Sequence, residues 1–166
     1  MFRTFSPGLG FDYIPIAIAP RNCKPARAGP SRPAQGSSAM PIETSNPPAV
    51  HKPGAYAHAV LVTDPQRRLV ISGQVGTAPD GSTAEDGEAQ IDQALANLGA
   101  ILAAHGMGPA NLVKMTVFLT DPALIPAWRA KRGAWQGEAR SASTLLLVAG
   151  LADPRFRVEV EAEAAD

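Results

Sequence analysis

Apolar residues recur along the chain with two different spacings, which predict two helices and several strands. The first helix is the clearest, because its apolar positions recur every three or four residues and so share one face: Ile91, Leu95, Leu98 and Leu102. A second helix is predicted over residues 122–136, where Pro122 suits the first turn. Both predicted helices lie between segments with a strand-like pattern.

The strand-like segments set the order of the elements. Residues 55–63 and 67–75 are rich in aliphatic residues and flank Asp64-Pro65, so they predict an antiparallel hairpin. An alternation of side chains with a period of two residues predicts a third strand over residues 111–121. The apolar segment "STLLLVAGL" predicts a buried strand. "RFRVEVEAEA" predicts a closing strand. The order β-β-α-β-α-β-β predicts an α+β domain with one sheet and two helices on one face.

Composition narrows the class of protein further. Hydrophobic residues make up 45% and charged residues 18% of the 166 positions, a globular balance, and the formal net charge of +0 gives no field that favours nucleic acid. Cys23 is the single cysteine, which excludes an internal disulfide framework and predicts a reducing, cytoplasmic setting. No apolar run approaches the roughly 18 residues that span a membrane. We therefore expect neither a nucleic-acid nor a membrane partner.

Residues 1–39 differ from the rest of the chain. They are rich in proline, glycine, serine and arginine, and five basic residues against Asp12 give them a net charge of +4. This composition predicts a disordered extension or an arginine-rich targeting segment. A third interpretation, which we favour because composition changes abruptly at "MPIETSNPP", makes Met40 the start and leaves residues 1–39 untranslated. In each case we place the domain and its function in residues 40–166.

Five motifs in order make the domain recognisable. "AYAHAV", "ISGQV", "VKMTVFLTD", "ARSASTLLLVAGL" and "VEVEA" resemble the Rid family, also called YjgF-type proteins or reactive intermediate deaminases, over residues 41–163. The resemblance implies a chorismate-mutase-like fold assembled as a homotrimer, with small-molecule pockets between subunits. It also implies hydrolysis of enamines and imines such as 2-aminoacrylate to a carbonyl product and ammonia, without metal or organic cofactor.

The resemblance also assigns candidate site residues. Tyr56 matches a tyrosine at the pocket entrance, and Ser72 and Gly73 match residues that line the pocket. Glu159 matches the glutamate that orients or activates water, so it is the candidate catalytic residue. Arg129 is a further candidate for ligand binding, although a solvated basic helix face is the simpler interpretation.

The family's substrate-binding arginine has two candidate positions in this chain. Arg140-Ser141 has the right residue type, but an ungapped register counted back from Leu151 places Ser143 and Thr144 there instead. Choosing Arg140 requires three extra residues inside a strand, so we favour Ser143. A serine hydroxyl offers one uncharged donor and cannot replace a guanidinium fork.

These assignments lead to two functional hypotheses. The first is a Rid-type enzyme from a branch without the deaminase arginine, inefficient on 2-aminoacrylate, with Ser143 and Thr144 among its ligand contacts. The second is a module that binds a metabolite or regulates a partner without catalysis. Ammonia release from freshly generated imino acids separates the two.

Overall fold

The computed structural model of the chain describes residues 42–51 and 53–166. The disordered extension expected over residues 1–39 lies outside this part. The main elements are β1 (Ile42–Ser45), β2 (Ala59–Val62), β3 (Arg68–Val75), α1 (Gly87–Ala104), β4 (Leu112–Leu119), α2 (Ile125–Gln136), β5 (Ala142–Leu147) and β6 (Val158–Ala165). The α+β class is confirmed, and β1 is an additional strand that the sequence pattern did not reveal.

Four strands form the main sheet in the order β3-β6-β4-β5. β6 runs antiparallel to both β3 and β4, whereas β4 and β5 are parallel. β2 pairs with β1 in a separate two-stranded ribbon, so the predicted hairpin of residues 55–63 and 67–75 is wrong. Alternation of side chains shows that a segment is a strand, but it does not specify which strand it pairs with.

Both helices contribute to a single core on one face of the sheet, here called the helix face. All four apolar positions predicted for α1 are buried, and every second residue of β6 and of β4 from Met115 onward is buried beneath the helices. Trp128 of α2 is only 2% exposed and belongs to the same core. The predicted placement of the helices and the amphipathic face of α1 are therefore confirmed.

The start of α2 follows the irregular geometry that its two prolines predict. Pro122–Leu124 form one 3-10 turn, and the Asp121 carboxylate accepts a hydrogen bond of 2.8 Å from the Ala123 amide. The α-helix then begins at Ile125, with Pro126 in its first turn, where the missing amide proton is not needed. This capped turn fixes where the side chains of α2 point.

The opposite side of the sheet, the open face, is covered by no helix in the described residues. Val70 is 68% exposed there, and the alternation of β6 places Glu159, Glu161 and Glu163 on the same side. β5 is an edge strand, and Leu147 at its end is 51% exposed. The prediction that β5 is fully buried is therefore wrong within one subunit, because a short apolar run does not distinguish a central strand from an uncovered one.

Candidate functional site

A cavity of about 550 Å³ lies between α2, β5 and the segment before β2. We call it the α2 pocket, and it is lined by Gly54, Ala55, Tyr56, Ile125, Trp128, Arg129, Arg132, Ser143 and Leu145. It brings together Tyr56, Arg129 and Ser143, which are separated widely along the chain. Its walls combine apolar side chains with hydroxyl and guanidinium groups, as small-molecule pockets do.

Backbone contacts with β5 hold Tyr56 at this pocket. The Ala57 amide donates to the Ser141 carbonyl at 3.1 Å, and Ala57 forms an isolated parallel bridge with Ala142. The buried Ala57 side chain fixes the segment, so the neighbouring Tyr56 ring projects to the pocket. The ring also meets the His58 imidazole edge-on, with the ring centres 5.8 Å apart.

Ser143 and Arg140 occupy different kinds of position. Ser143 lies within β5, where it pairs with Met115 and lines the α2 pocket. Arg140 precedes the strand, and its Nη1 donates to the carbonyls of Gly137 and Ala139 at 2.7 and 2.8 Å. The Arg140 guanidinium thus closes the turn after α2, in which Gly137 has φ 62°. Which residue corresponds to the family arginine stays a prediction, with Ser143 still the preferred position.

The helix also brings a residue that the sequence analysis missed. Trp128, Arg132 and Gln136 recur every four residues and are all buried, so Arg132 lies on the inner side of α2. Arg132 is 6% exposed, and it lines both the α2 pocket and an adjoining cavity of about 90 Å³. The available signal was a charged residue at a position where helical spacing predicts burial.

A buried network orients Arg132. Its Nε donates to Gln136 Oε1 at 3.0 Å, and Gln136 Nε2 donates to Ser141 Oγ at 3.2 Å. The buried Nη2 atom of Arg132 has no hydrogen-bond partner among the described residues. Burial, and then repulsion from Arg140, lower the pKa of Arg132 from its ordinary value. The network therefore holds a guanidinium whose charge is not balanced by its surroundings.

A second group of predicted residues meets on the open face. The pairing of β3 with β6 shifts between Ile71 and Gln74, which leaves Ser72 and Gly73 in a bulge. The Gln74 side-chain amide donates to the carbonyls of Ser72 and Gly73 at 3.1 and 3.3 Å and so supports the bulge. The Glu159 carboxylate lies directly over Gly73, because a Cβ at that position would be 1.8 Å from Glu159 Oε1.

The two groups lie on opposite faces of the sheet. Ser143 lines a pocket with Trp128 on the helix face, whereas Glu159 alternates with the buried Val158 and Val160 and faces away. Thr144 follows Ser143 in β5, so its exposed side chain is on the open face and outside the α2 pocket. One subunit does not unite Glu159 with Tyr56, Arg129 and Ser143.

Within residues 42–51 and 53–166, no group of three or more His, Cys, Asp or Glu side chains is placed to hold a metal ion. No helix in that part of the chain is both long and apolar enough to cross a membrane.

Comparison with known proteins settles the family. A family model described as Endoribonuclease L-PSP, which represents the YjgF or Rid proteins, matches residues 47–166. The chain belongs to this family. A solved structure of the Rid-family protein YyfB from Yersinia pestis is 32% identical, has a TM-score of 0.70, and covers 76% of this chain and 99% of its own. RidA from an Antarctic Psychrobacter is 30% identical, with a TM-score of 0.57 and coverage of 77% and 100%. The resemblance read from the motifs is confirmed.

Curated relatives carry a more specific name. The 2-iminobutanoate/2-iminopropanoate deaminase of Rattus norvegicus is 46% identical over 82 residues, which is 48% of this chain and 56% of that protein. The Salmonella typhimurium protein of the same name is 40% identical over 81 residues, or 48% and 59% of the two chains. The chain thus spans little more than half the length of the curated relatives it matches.

Proposed function

We propose that this Rid-family chain hydrolyses the C=N bond of a small imine or enamine to a carbonyl product and ammonia. The observation that carries the proposal is the carboxylate of Glu159 held over the bare backbone of Gly73 on the open face. The names of the relatives, which deaminate 2-iminobutanoate and 2-iminopropanoate, supply the reaction class. We propose no metal or organic cofactor for this reaction.

The chemistry needs one water molecule and one base. The Glu159 carboxylate accepts a proton from water as the water oxygen bonds to the imine carbon, and it passes this proton to the imine nitrogen, which gives a carbinolamine. Glu159 then accepts the hydroxyl proton of the carbinolamine as the C=O bond forms and delivers it to the nitrogen, so that the C–N bond breaks and ammonia leaves. The carboxylate is regenerated, and the reaction consumes only water.

We propose that the site is completed by a second copy of the chain in a homotrimer. Glu159 and Gly73 face one way, whereas Tyr56 and Ser143 face the other, so only another subunit can place the two groups around one ligand. The open face supports this assembly, because Val70 and Leu146 are exposed there and a second copy would cover them. The ligand then lies between the α2 pocket of one subunit and the Glu159 carboxylate of the next.

Ser143 shapes the expected substrate preference. Its hydroxyl gives the β5 side of the pocket one uncharged donor. An acid group held there is therefore not balanced by the positive charge of an arginine. We therefore propose that turnover of 2-aminoacrylate is inefficient compared with relatives that have arginine at this position.

The first experiment measures ammonia release from freshly generated imino acids. Glu159→Gln keeps the shape of the side chain but not the base, and should lower kcat by about 100-fold or more. Glu161→Gln is the matched control, because Glu161 lies on the same strand and face. Equal activity of the two variants, or release of ammonia no faster than in buffer by the wild type, would refute the enzymatic role. Ligand binding without turnover would then favour a metabolite-binding module.

A complementation experiment tests the shared site. Glu159→Gln removes the base, and Ser143→Trp fills the α2 pocket, so each variant alone should be inactive. Oligomers formed by co-expression contain sites that combine an intact α2 pocket from the first variant with an intact Glu159 from the second. Recovered activity supports a site between subunits, and no recovery in mixed oligomers verified by mass spectrometry would contradict it.

A further inference from the structure

Arg132 is a charged residue in a position where charge is costly. It is 6% exposed, and none of the ion pairs among the described residues includes it. A buried guanidinium without a carboxylate partner destabilises a folded protein unless something compensates for its charge. Side chains of the described residues supply one hydrogen bond to it, from Nε to Gln136.

Two further arginines line the cavities beside Arg132 and add to the local excess of positive charge. Arg129 lines both cavities, and Arg140 lines the smaller one, yet no aspartate or glutamate of the described residues lines either of them. Three arginines therefore line these two adjoining cavities without a balancing carboxylate from that part of the chain. Such an arrangement is complementary to an anion that enters from outside.

The geometry points to Arg132 as the residue that binds the carboxylate of an organic acid in the α2 pocket. Its planar fork matches a carboxylate, and the Tyr56 and Ser143 hydroxyls are donors that line the same pocket. Ile125, Trp128 and Leu145 provide apolar walls for the body of the ligand. The inference rests on the proposed function only in taking the α2 pocket as the ligand site.

Gln136 and Ser141 act as positioning residues in this arrangement. Gln136 Oε1 accepts from Arg132 Nε, and the Gln136 amide is in turn fixed by Ser141 Oγ. The chain of two hydrogen bonds restricts the guanidinium to one orientation before the ligand arrives, which lowers the entropy lost on binding.

The inference changes how an acid is held in comparison with the family pattern. The charged group lies on α2, and Ser143 on β5 has only a hydroxyl. An acid is therefore still bound, but its carboxylate is displaced toward the helix. A short imino acid such as 2-aminoacrylate, whose carboxylate is bonded to the reacting carbon, is then held away from the position suited to hydrolysis.

Direct binding tests the inference without depending on turnover. Titration calorimetry with 2-oxobutanoate and with its uncharged methyl ester compares an acid with a neutral ligand of nearly the same shape. We expect Arg132→Met to weaken binding of the acid by roughly ten- to a hundredfold and to leave binding of the ester nearly unchanged. Arg155→Met, which removes an arginine paired with Asp153 outside the pocket, is the control and should bind both ligands as the wild type does.

Thermal stability separates a ligand-binding role from a structural one. Methionine keeps the unbranched apolar stem of Arg132 but removes its unbalanced buried charge, so Arg132→Met should have a Tm equal to or above that of the wild type. Gln136→Leu should weaken acid binding while Arg132 is still present, because the guanidinium loses its fixed orientation. Gln136→Glu should also weaken acid binding, because its carboxylate balances the charge of Arg132 within the protein. A Tm well below wild type for Arg132→Met, together with unchanged affinity for the acid, would overturn the inference.

The outcomes also separate this inference from the proposed function. Acid binding that depends on Arg132, without ammonia release by the wild type, supports the anion site and refutes the deaminase. Ammonia release that depends on Glu159, with acid affinity unaffected by Arg132→Met, supports the deaminase and refutes the anion site.

Discussion

The Glu159 carboxylate occupies the space that a side chain at residue 73 would fill. A Cβ on Gly73 would lie 1.8 Å from Glu159 Oε1 and 2.7 Å from the carboxyl carbon, distances at which atoms overlap. The bulge in β3 and the Gln74 amide hold the Gly73 backbone at this point of closest approach. The glycine thus determines where the proposed base rests.

Gly73→Ala should therefore impair catalysis by displacing Glu159. The added methyl group must push the carboxylate aside, and a misplaced base loses much of the 10²–10⁴-fold contribution typical of general base catalysis. We expect kcat for imine hydrolysis to fall by about 100-fold while the affinity for 2-oxobutanoate changes little. Steady-state kinetics and calorimetry measure the two quantities.

Gly108→Ala is the matched control for this substitution. Gly108 has φ −143°, and a Cβ added there would have none of the described residues within 4 Å apart from its chain neighbours, so alanine fits without overlap. Wild-type kcat in Gly73→Ala would show that the position of Glu159 over Gly73 has no catalytic importance.

Substitution of Arg140 tests whether Arg140 corresponds to the family's substrate-binding arginine. The Arg140 guanidinium donates to the carbonyls of Gly137 and Ala139, so it is engaged in closing a turn. Arg140→Gln should leave kcat/KM within about threefold of wild type, a change below about 1 kcal/mol in transition-state stabilisation. A loss of 100-fold or more on imino acids, with an unaltered Tm, would instead identify Arg140 as the family's substrate arginine.

The sequence predicted the elements whose periodicity is regular. The four apolar positions of α1 are buried, and the predicted closing strand is β6, in which Glu159, Glu161 and Glu163 alternate with buried residues. These patterns are readable because burial on one face leaves a spacing of about 3.6 or 2 residues. The resemblance to the Rid family came instead from the residues of five motifs, which overlap β2, β3, β4, β5 and β6.

Pairing and exposure were harder to predict because they depend on distant residues. β2 and β3 are adjacent in sequence, yet β2 pairs with β1 and β3 pairs with β6. Leu146 and Leu147 belong to a strongly apolar segment, but both are exposed at the edge of the sheet. The apolar run indicated that β5 would be covered without indicating by what.

The candidate site likewise has a part that the sequence predicted and a part that it did not. Tyr56 and Ser143 could be singled out by motif, and so could Glu159, but the motifs gave no indication that Glu159 faces away from the other two. Arg132 carried no motif signal, and only its spacing from Trp128 and Gln136 marked it as an inward-facing charge. The polar network that orients it depends on Ser141, which lies beyond the end of the helix.

Gln90 should be critical for stability, because its buried side chain connects three backbone groups. It is 0% exposed, donates to the carbonyls of Ala84 and Arg155 at 2.7 and 2.8 Å, and accepts from the Arg157 amide at 2.8 Å. Gln90→Leu should lower the free energy of unfolding by about 3 kcal/mol, since each buried backbone group left unsatisfied costs about 1–3 kcal/mol. Chemical denaturation measures this loss.

Gln93→Leu provides the comparison on the same helix. Among the described residues the Gln93 amide donates only to the Asn97 side chain, so its removal leaves no backbone group of their loops without a partner. We expect a change of less than about 1 kcal/mol, the net worth of an ordinary side-chain hydrogen bond. Similar losses in the two variants would mean that the loop contacts of Gln90 contribute little.

Asp153 should make stability depend on pH in the acid range. Its carboxylate accepts hydrogen bonds from the side chain and backbone amide of Arg155, and these lower the pKa of Asp153 to about 2. Because this folded-state pKa lies below the value of roughly 3.9 for an unfolded chain, the carboxylate stabilises the fold above about pH 4. That contribution is lost as the pH falls from about 4 through about 2, below which Asp153 is protonated in the folded state as well.

Asp153→Asn should therefore lower Tm at pH 7 by a small amount, because the pair with Arg155 is exposed to solvent and screened. The difference in Tm between the variant and the wild type should shrink as the pH falls below 4 and vanish below about pH 2. Addition of salt at pH 7 should reduce it in the same direction. Glu138→Gln, which removes an acidic residue that forms no ion pair among the described residues, should show no such pH-dependent difference. A difference for Asp153→Asn that stays constant from pH 7 to pH 2 would contradict this prediction. It would show that the change in hydrogen bonds with Arg155, and not the loss of the carboxylate charge, accounts for the effect.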